Sequence, residues 1–343
     1  MEYPSLSTPP AGSIRFNTDT SKLEIYDGNG WWQIDSTSPE AQTGGARGIF
    51  GPGGGAPAGS KNAMDYINIS SSGNAVDFGD TTSEFSDGGG TASRTRGVFD
   101  LGYVAPSETN RIDYVTMAST GNSIDFGDFT ANRRSSCVFG NNTRAIFSSG
   151  FGVGNAIEYI TIASTGNAAD FGDTTYSGNY GAAAVNSPTR GLRAGGFSSP
   201  NFYNTIEYNT IASTGNAADF GDLTVARCAA GGISNAVRGM WGGGRTTPSG
   251  TPHTDVIDYV TIASQGNALD FGNMSTSADF VTGVSSPTRG CLGGGYTAPA
   301  YTVVIRQLHI MSTGDTTDFG DLTYARNQAV PMSTGHGGLA GGT

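Results

Sequence analysis

The sequence predicts an all-β fold, a β-propeller built from repeated four-stranded units. The main observation is a phrase close to Ala-Ser-Thr-Gly-Asn-Ala-x-Asp-Phe-Gly-Asp that returns six times in 343 residues. Its phenylalanines, which are 48, 45, 49, 51 and 48 residues apart, are Phe78, Phe126, Phe171, Phe220, Phe271 and Phe319. A period near fifty residues with short strands is typical of a propeller. Because the self-similarity spans most of the chain, we expect one closed array rather than several domains.

The composition also favours strands and turns over helices. Glycine supplies 54 residues and charged residues only 14% of the chain, while serine, threonine and asparagine are abundant. Such residues favour turns and disfavour helices. The net charge of −11 comes with no basic stripe, so we expect no nucleic-acid partner. Residues 1–13 lack the pattern of a secretion signal and no apolar run has the length of a membrane span, so we expect no membrane insertion.

Each repeat divides into four strand-sized pieces, as the fourth unit shows. Arg190–Leu192 leads into a glycine pair, Thr205–Ile211 alternates polar and apolar residues, and Ala217–Leu223 and Arg227–Ser234 follow. Alternation with a period of two predicts a half-buried strand. The Ser-Thr-Gly-Asn segment between the second and third pieces favours a tight turn.

The order of these pieces resembles the kelch repeat, with its double glycine, tyrosine strand, aromatic strand and Leu-Thr-x-x-Arg tail. The resemblance covers residues 43–343, with phenylalanine where kelch repeats usually have tryptophan. It implies that the Arg227 segment is the inner first strand of a blade. The glycine pair, the Tyr208 segment and the Phe220 segment would follow as the second, third and outermost strands. The resemblance predicts the fold and leaves the function open.

Counting the strands by type predicts seven blades. The glycine-rich second strand occurs seven times, at Gly48, Gly97, Ala145, Gly191, Gly239, Gly290 and residues 337–342, but the Phe-Gly strand only six times. Residues 22–35 form a hairpin around Gly28-Asn29-Gly30 and supply the two missing outer strands. We therefore expect a last blade shared between the two termini, which leaves no exposed sheet edge. The alternative is a six-bladed ring, residues 43–343, with residues 1–42 as a separate appendage.

The two faces of the predicted ring differ in their loops. One face carries the repeated Thr-Arg-Gly and Ser-Thr-Gly-Asn turns, whereas the other carries loops that differ between blades, so recognition is expected on the varied face. Its aromatic and histidine side chains suit stacking on sugar rings or anchoring a protein partner. The alternative is that they fold back over the blades. The candidate ligand-binding residues are Tyr103, Phe202, Tyr203, His253, Tyr296 and Tyr301, with Phe197 beside them.

A second repeated feature is an arginine at the start of the second strand. The aspartates of the repeated phrase, such as Asp77 and Asp80, match these arginines in number, which favours blade-to-blade salt bridges over an anion site. The same aspartates resemble a calcium loop only weakly, because each turn offers two carboxylates. We expect turn chemistry and no metal. The arginines of this structural ring are Arg47, Arg96, Arg144, Arg190, Arg238 and Arg289.

The sequence offers no catalytic constellation. Three histidines are scattered, and the three cysteines lie in different repeats without metal-ligand spacing. We find no nucleophile elbow and no phosphate loop. We therefore expect no enzymatic activity and no cofactor, with Cys137, Cys228 and Cys291 packed as small apolar residues.

Residues 10–27, followed by Trp31-Trp32, resemble a short module of tail-fibre and other virion proteins of tailed bacteriophages. The repeated phrase is similar to repeats in structural proteins of marine, particularly cyanobacterial, phages, and this second resemblance covers nearly the whole chain. It implies a virion structural protein in several copies per particle, with other virion proteins as partners. A tail-fibre or tail-tip adhesin would bind a host surface glycan or protein through the varied loops. The alternatives are a capsid-decorating or architectural virion protein and a cellular kelch-type interaction scaffold.

Overall fold

The computed structural model describes residues 9–17, 22–34, 46–54, 61–177, 180–247 and 253–339. Contacts divide the chain into two units, Met1–Gln42 and Thr43–Thr343. In the described residues the one helical element is a 3-10 turn, Gly337–Leu339. The all-β prediction is therefore confirmed. None of these residues belongs to a helix long and apolar enough to cross a membrane.

The first unit contains a three-stranded antiparallel sheet, with strands Ile14–Asn17, Lys22–Tyr26 and Trp31–Ile34. The last two form the predicted hairpin, in which Tyr26 pairs with Trp31. The carboxylate of Asp27 holds the turn by accepting hydrogen bonds from the backbone N–H groups of Asn29 and Gly30, at 2.7 and 2.8 Å. These two hydrogen bonds lower the pKa of Asp27. The turn is thus stabilised by a charged acceptor as well as by its glycines.

The second unit contains, in its described residues, six antiparallel sheets with four main strands each, which we number as blades 1 to 6. A short strand, Tyr103–Val104, pairs with the third strand of blade 2, and a two-stranded ribbon, Phe197–Ser198 with Asn201–Phe202, extends blade 4. From first to fourth, the strands are Pro331–Ser333, Arg47–Phe50, Lys61–Asn68 and Val76–Phe85 in blade 1; Gly90–Ala92, Arg96–Asp100, Ser107–Thr116 and Ile124–Arg133 in blade 2; Cys137–Gly140, Arg144–Gly150, Gly154–Thr161 and Ala169–Asp173 in blade 3; Ala183–Asn186, Arg190–Ala194, Thr205–Thr210 and Ala218–Asp222 in blade 4; Gly231–Ser234, Arg238–Gly242, Val256–Thr261 and Leu269–Asn273 in blade 5; and Thr282–Ser285, Arg289–Gly293, Val304–His309 and Thr317–Asp321 in blade 6.

The blades close into a ring. The first strands of neighbouring blades contact one another all the way round, including blade 6 with blade 1. At the rim the same closure is visible in hydrogen bonds: Gly73 N–H of blade 1 donates to Phe319 O of blade 6 at 2.8 Å, and Asp321 N–H donates to Asn74 Oδ1 at 3.1 Å. Four-stranded sheets repeated radially in this way have the arrangement of a β-propeller.

The repeated phrase joins the blades at every interface. The Ser-Thr-Gly-Asn turn of one blade lies against the Asp-Phe-Gly-Asp strand of the preceding blade, with a backbone hydrogen bond from the turn glycine to the phenylalanine carbonyl. The strand glycine is required by this close approach. At Gly320, where φ is +148°, an added Cβ would lie 2.4 Å from Gly73 O. The phrase is therefore repeated because it forms the contact between blades.

Among the described residues, the predicted seventh, shared blade is absent. The hairpin of residues 22–34 pairs within its own sheet, and the first strand of blade 1 comes from Pro331–Ser333. Gly337 and Gly338, the first residues of the segment that suggested a seventh second strand, lie in the 3-10 turn Gly337–Leu339 instead. The prediction failed because it counted a glycine-rich segment as a strand. The first two glycines of this segment instead lie so close to other blades that a side chain would collide with them. The described sheets correspond to the alternative of six blades and a separate N-terminal unit.

Residues 335–339, which we call the C-terminal plug, lie across the ends of the inner strands. A Cβ on Gly337 would lie 1.9 Å from Asn186 O of blade 4, and a Cβ on Gly338 would lie 1.9 Å from Gly140 O of blade 3. The glycines thus permit close packing on several blades at once. The central channel is closed at this end.

His336 anchors the C-terminal plug between blades 2 and 4. Its Nε2 lies 2.6 Å from Ala92 O, while its Nδ1 lies 3.2 Å from both Asn186 Nδ2 and Gly338 N. Because Nδ1 faces two N–H donors, it acts as an acceptor, and because Nε2 faces a carbonyl oxygen, it acts as a donor. His336 is therefore the neutral tautomer with its proton on Nε2. Burial lowers the pKa of His336 to about 4.

The predicted arginine ring is structural, but its partners are not the predicted aspartates. The Arg96 guanidinium lies 4.7 Å over the Tyr114 ring, and its Nη1 donates to Ile162 O and Ala163 O of the next blade at 3.1 and 3.0 Å. Among the described residues no ion pair joins these arginines to the aspartates of the phrase, which are mostly exposed, so the predicted salt bridges are wrong. Carbonyl groups of the neighbouring blade lie closer and suit a buried guanidinium. The other five arginines of this ring reach carbonyls at Met117, Ile211, Ile262, Ile310 and Ile69.

A different set of charged residues bridges the blades inside the ring. In five blades the third strand carries a buried carboxylate that accepts a hydrogen bond from a threonine of the preceding blade and pairs with an arginine. Such pairs are hard to break because each leaves a buried charge behind. The five pairs are Asp65 with Arg326, Asp113 with Arg111, Glu158 with Arg133, Glu207 with Arg193 and Asp258 with Arg227.

Blade 6 departs from this pattern, which leads to a first prediction. Arg306 occupies the carboxylate position, is only 2% exposed, and has Nε and Nη1 without hydrogen-bond partners. Burial lowers its pKa. We expect Arg306→Met to raise the free energy of unfolding by about 1–3 kcal/mol, because it removes an uncompensated buried charge while keeping the volume. Urea unfolding measures this change. Arg227→Met is the matched variant, and we expect it to lower the free energy of unfolding, because it leaves the buried Asp258 carboxylate without its arginine. A loss of stability in Arg306→Met would contradict the argument.

Candidate functional site

The loops before the first strands and those between the second and third strands meet on one face of the ring, the mouth face. In each blade one residue from each loop forms an isolated β-bridge, which places six pairs at equivalent positions. The strands repeat from blade to blade, but the bridge residues differ in chemistry. The mouth face is therefore where the blades differ from one another. The pairs, with the residue before the first strand given first, are Asn327–Gly54, Ser86–Tyr103, Arg134–Phe151, Tyr180–Phe197, Cys228–Arg245 and Asp279–Tyr296 from blade 1 to blade 6.

The residues that follow the first member of each pair form the rim of the channel. Backbone N–H groups link neighbouring blades here, for example Ser135 to Asp87 O at 2.6 Å and Phe280 to Ala229 O at 2.7 Å. A residue other than glycine in the left-handed region costs about 1–2 kcal/mol. The rim is thus a strained but hydrogen-bonded ring, of the kind found at binding sites. Its members, all with φ between +50° and +66°, are Asp87, Ser135, Gly181, Ala229, Phe280 and Gln328.

Below the rim the channel is narrow. Its cavity of about 120 Å³ is lined mainly by glycine, alanine and serine. The inner strands approach so closely that a Cβ on Gly232 would lie 2.0 Å from Ala184 O, and one on Gly283 would lie 2.1 Å from Gly232 O. The channel is too small for a sugar ring. A ligand of that size would need a larger space beside the channel.

Such a space exists between blades 3, 4 and 5. This aromatic cleft has a volume of about 600 Å³ and lies within the size range of ligand sites. All six bridge residues of these three blades line it, so its walls come from the positions that vary between blades. The lining residues are Arg134, Phe151, Tyr180, Phe197, Ser198, Ser199, Phe202, Cys228 and Arg245.

Aromatic rings form most of the apolar surface of the cleft. The rings of Phe197 and Phe202 lie 4.7 Å apart and are held by the two-stranded ribbon of blade 4. Tyr180 packs edge-on against Phe280 at 5.8 Å. Phe151 is 49% exposed. The cleft therefore presents rigid ring faces to solvent, which is how proteins contact flat apolar ligand surfaces.

Two arginines supply the polar groups. Arg134 lies 4.7 Å over the Phe151 ring and pairs with Asp87 and Glu108 at 3.7 and 3.5 Å. Arg245 pairs with Asp279 at 3.0 Å. Each guanidinium is thus oriented by a ring or a carboxylate and largely neutralised, so the cleft suits a neutral polar ligand rather than a strong anion.

Burial determines the protonation states around the cleft. It raises the pKa of Tyr180 and of Cys228 to about 12. It also raises the pKa of Asp87 and of Asp279, against the opposing effect of the paired arginines. At neutral pH the phenol and the thiol therefore stay protonated, and neither acts as a nucleophile. All three cysteines of the chain are buried with free thiols.

The structure distributes the candidate residues from the sequence over four places. Phe202 lines the cleft. Tyr103 lies 5.6 Å from the Arg134 guanidinium, and Tyr203 packs on Tyr176 at 4.9 Å. His253, Tyr296 and Tyr301 form a separate cluster at 5.5 and 5.3 Å, where His253 Nδ1 lies 3.6 Å from Asp279 Oδ2. Apart from Phe202, none of them lines the cleft.

Sequence reasoning missed Phe151, Tyr180 and the two arginines of the cleft. The repeat contained a signal for some of them: the residue directly after the glycines of the second strand is always a bridge residue, as in Gly243-Gly244-Arg245. Aligning that single position across blades would have given Phe151 and Arg245. The described residues contain no group of three or more histidine, cysteine or acidic side chains placed to hold a metal ion.

Comparison with known proteins supports the fold alone. No family model matches the chain, and no curated protein is similar to it in sequence. Among the solved structures that resemble it is the structure of YjhT, with a TM-score of 0.59 and 12% sequence identity over 74% of this chain and 88% of that chain. In this comparison 336 solved chains match the structure significantly. A fold shared so widely hosts many functions, so function has to be argued from the site.

Proposed function

We propose that the protein is a non-enzymatic structural protein of a tailed-phage virion, a kelch-like tail-fibre or tail-tip adhesin that binds host surface glycan in the aromatic cleft. The observation that carries the binding part is the cleft itself, because the bridge residues of three blades all converge on it. The virion part rests on the resemblance of residues 10–27 and of the repeated phrase to phage structural proteins.

The chemistry of the cleft favours a carbohydrate. Phenylalanine and tyrosine faces stack on the C–H surfaces of sugar rings, while guanidinium and serine groups hydrogen-bond hydroxyls. Ser198 and Ser199 stand at the ribbon beside Phe202, and both arginines have their charge balanced by carboxylates. A neutral polyol needs such a mixture of flat apolar surface and oriented donors.

The same features support a role without catalysis. Asp87 and Asp279 are paired with arginines, and the cleft phenol and thiol stay protonated. A glycosidase would need two carboxyl groups of different protonation state on opposite sides of the bond. The rival proposals, a capsid-decorating or architectural virion protein and a cellular kelch-type scaffold, would leave the cleft without a glycan.

The test is binding of the labelled full chain to intact candidate host cells. We expect saturable binding that Phe151→Ala combined with Phe202→Ala weakens about tenfold or more, because truncating buried aromatic anchors costs upwards of 1 kcal/mol each. Leu269→Ala is the matched control, since Leu269 is a 60% exposed apolar residue on the outer strand of blade 5, away from the mouth face. Binding that is equal in the cleft variant, or absent in the unchanged chain, would overturn the adhesin proposal.

A further inference from the structure

The sheet of the first unit exposes an apolar face. The register pairs Ile14 with Ile25, Ile25 with Trp32, and Phe16 with Leu23, so these five residues share one side. Ile14 and Phe16 are each 61% exposed, Leu23 44% and Trp32 64%. Contiguous exposed apolar surface of this kind marks an interaction site. We call it the N-terminal apolar face.

The opposite side of the sheet has its polar groups satisfied. Arg15 Nε lies 2.9 Å from Glu24 Oε2, and Asn17 Nδ2 donates to Glu24 Oε1 at 3.0 Å. The Arg15 guanidinium also lies 4.1 Å over the Trp31 ring. The charged groups described on this side are therefore paired within the sheet, whereas the N-terminal apolar face leaves large apolar side chains exposed.

The first unit is too small to be stable without further support. It spans residues 1–42, and its sheet has three short strands. Units of about 40 residues usually depend on disulfides, a metal or oligomerisation. Residues 1–42 contain no cysteine and no histidine. The absence of cysteine excludes a disulfide within this unit, and oligomerisation is one of the remaining means of support.

We propose that the N-terminal apolar face is covered by the same face of a second copy of this chain. The face is self-complementary because it carries no charged side chain, and its one polar atom, Trp32 Nε1, already donates to Asp27 Oδ2 at 2.7 Å. Two-fold pairing of the two faces therefore buries no unpaired charge. Side chains of this size expose on the order of 450 Å² per copy at these fractions, or about 900 Å² in the pair. This total is below the range of stable specific interfaces, so we expect a weak, reversible dimer.

The experiment is sedimentation equilibrium of the full chain between about 1 and 100 µM, a range that spans weak dimerisation. We expect a concentration-dependent dimer, with a dissociation constant raised at least tenfold in Trp32→Asp and in Phe16→Asp. Leu269→Asp places the same charge on an equally exposed apolar residue of blade 5 and is expected to leave the dimer unchanged. Circular dichroism of each variant checks that the ring is intact.

Because an aspartate in the sheet can unfold it, a second measurement keeps the test independent of folding. Ile25→Cys on the face is expected to form an intermolecular disulfide under oxidising conditions, whereas Asn29→Cys in the exposed turn is not. The three native cysteines do not interfere, because they are buried and their pKa is raised to about 12. A monomer at every concentration, a trimer, or a dimer that persists in both aspartate variants would overturn the proposal. The result is independent of glycan binding, so it can fail while the adhesin proposal holds.

Discussion

Arg326→Met is expected to lower the free energy of unfolding by about 3–5 kcal/mol, the usual consequence of removing one partner of a buried ion pair. Arg326 follows the last strand of blade 6, and its Nη2 lies 2.5 Å from Asp65 Oδ2 in blade 1. Both residues are 0% exposed. Thr323 Oγ1 donates to the same carboxylate at 2.7 Å. Without the arginine, the buried Asp65 carboxylate at the interface that closes the ring would keep two neutral donors, the hydroxyl and the backbone N–H of Thr323, and no positive charge.

Urea unfolding of the full chain measures this loss. Arg111→Met is the matched control, because Arg111 pairs with the equivalent Asp113 but is 36% exposed, so water replaces it at lower cost. A second variant, Arg326→Met with Asp65→Leu, is expected to recover most of the stability, since it removes both charges together. A loss below about 1 kcal/mol in Arg326→Met, on the scale expected for exposed pairs, would show that the pair is unimportant for closure.

The second large effect concerns pH and the C-terminal plug. Burial lowers the pKa of His336 from its ordinary 6.5 to about 4, although the hydrogen bond to Ala92 O acts in the opposite direction. The unfolded chain therefore binds a proton between these values and the folded chain does not. Stability from this residue is complete above pH 6.5 and is lost as the pH falls to about 4. The total is about 3 kcal/mol.

His336→Gln isolates this contribution, since glutamine donates and accepts hydrogen bonds without titrating. The free energy of unfolding is measured for both proteins at pH 7.5, 6, 5 and 4. We expect the difference between the two curves to change by about 3 kcal/mol across this range, because the carboxylates titrate alike in both proteins. Parallel curves would mean that His336 is protonated in the folded ring or that the plug opens before it titrates.

The sequence predicted the strands of the repeated unit well, but it predicted poorly where the series of blades ends. A strand was found at Thr205–Thr210, in which Ile206 and Tyr208 pack in the core. The strand is not half-buried as its alternation predicted, because Glu207 and Asn209 on its other face are buried as well. The blade number failed at Gly337–Leu339, where glycines permit close packing on other blades rather than strand pairing. Local composition does not distinguish these two uses of glycine, because both require the absence of a Cβ.

The sequence predicted the face of the ring that carries the candidate site, but not most of the residues that form it. The loops were placed correctly on the mouth face, but only Phe202 of the six candidates lines the cleft. The prediction chose aromatic residues in long loops, whereas the cleft is built from residues tied down by the bridges next to the rim. An aromatic ring in a loop can pack on its own blade or on a neighbouring blade, and the packing of both blades decides which. Tyr203, for example, packs on Tyr176. That information is not local in the sequence.

The pairing of the bridge residues also has a practical consequence. Much of the contact between blades lies in the repeated phrase, the rim and the buried ion pairs. Among the twelve bridge positions, Cys228 and Asp279 are buried and Arg245 pairs with Asp279, whereas the remaining bridge residues are at least partly exposed. A combinatorial library randomised at these remaining positions would alter the chemistry of the mouth face while retaining the scaffold. Such a library would offer a route to rings with chosen carbohydrate specificity, selected one blade pair at a time.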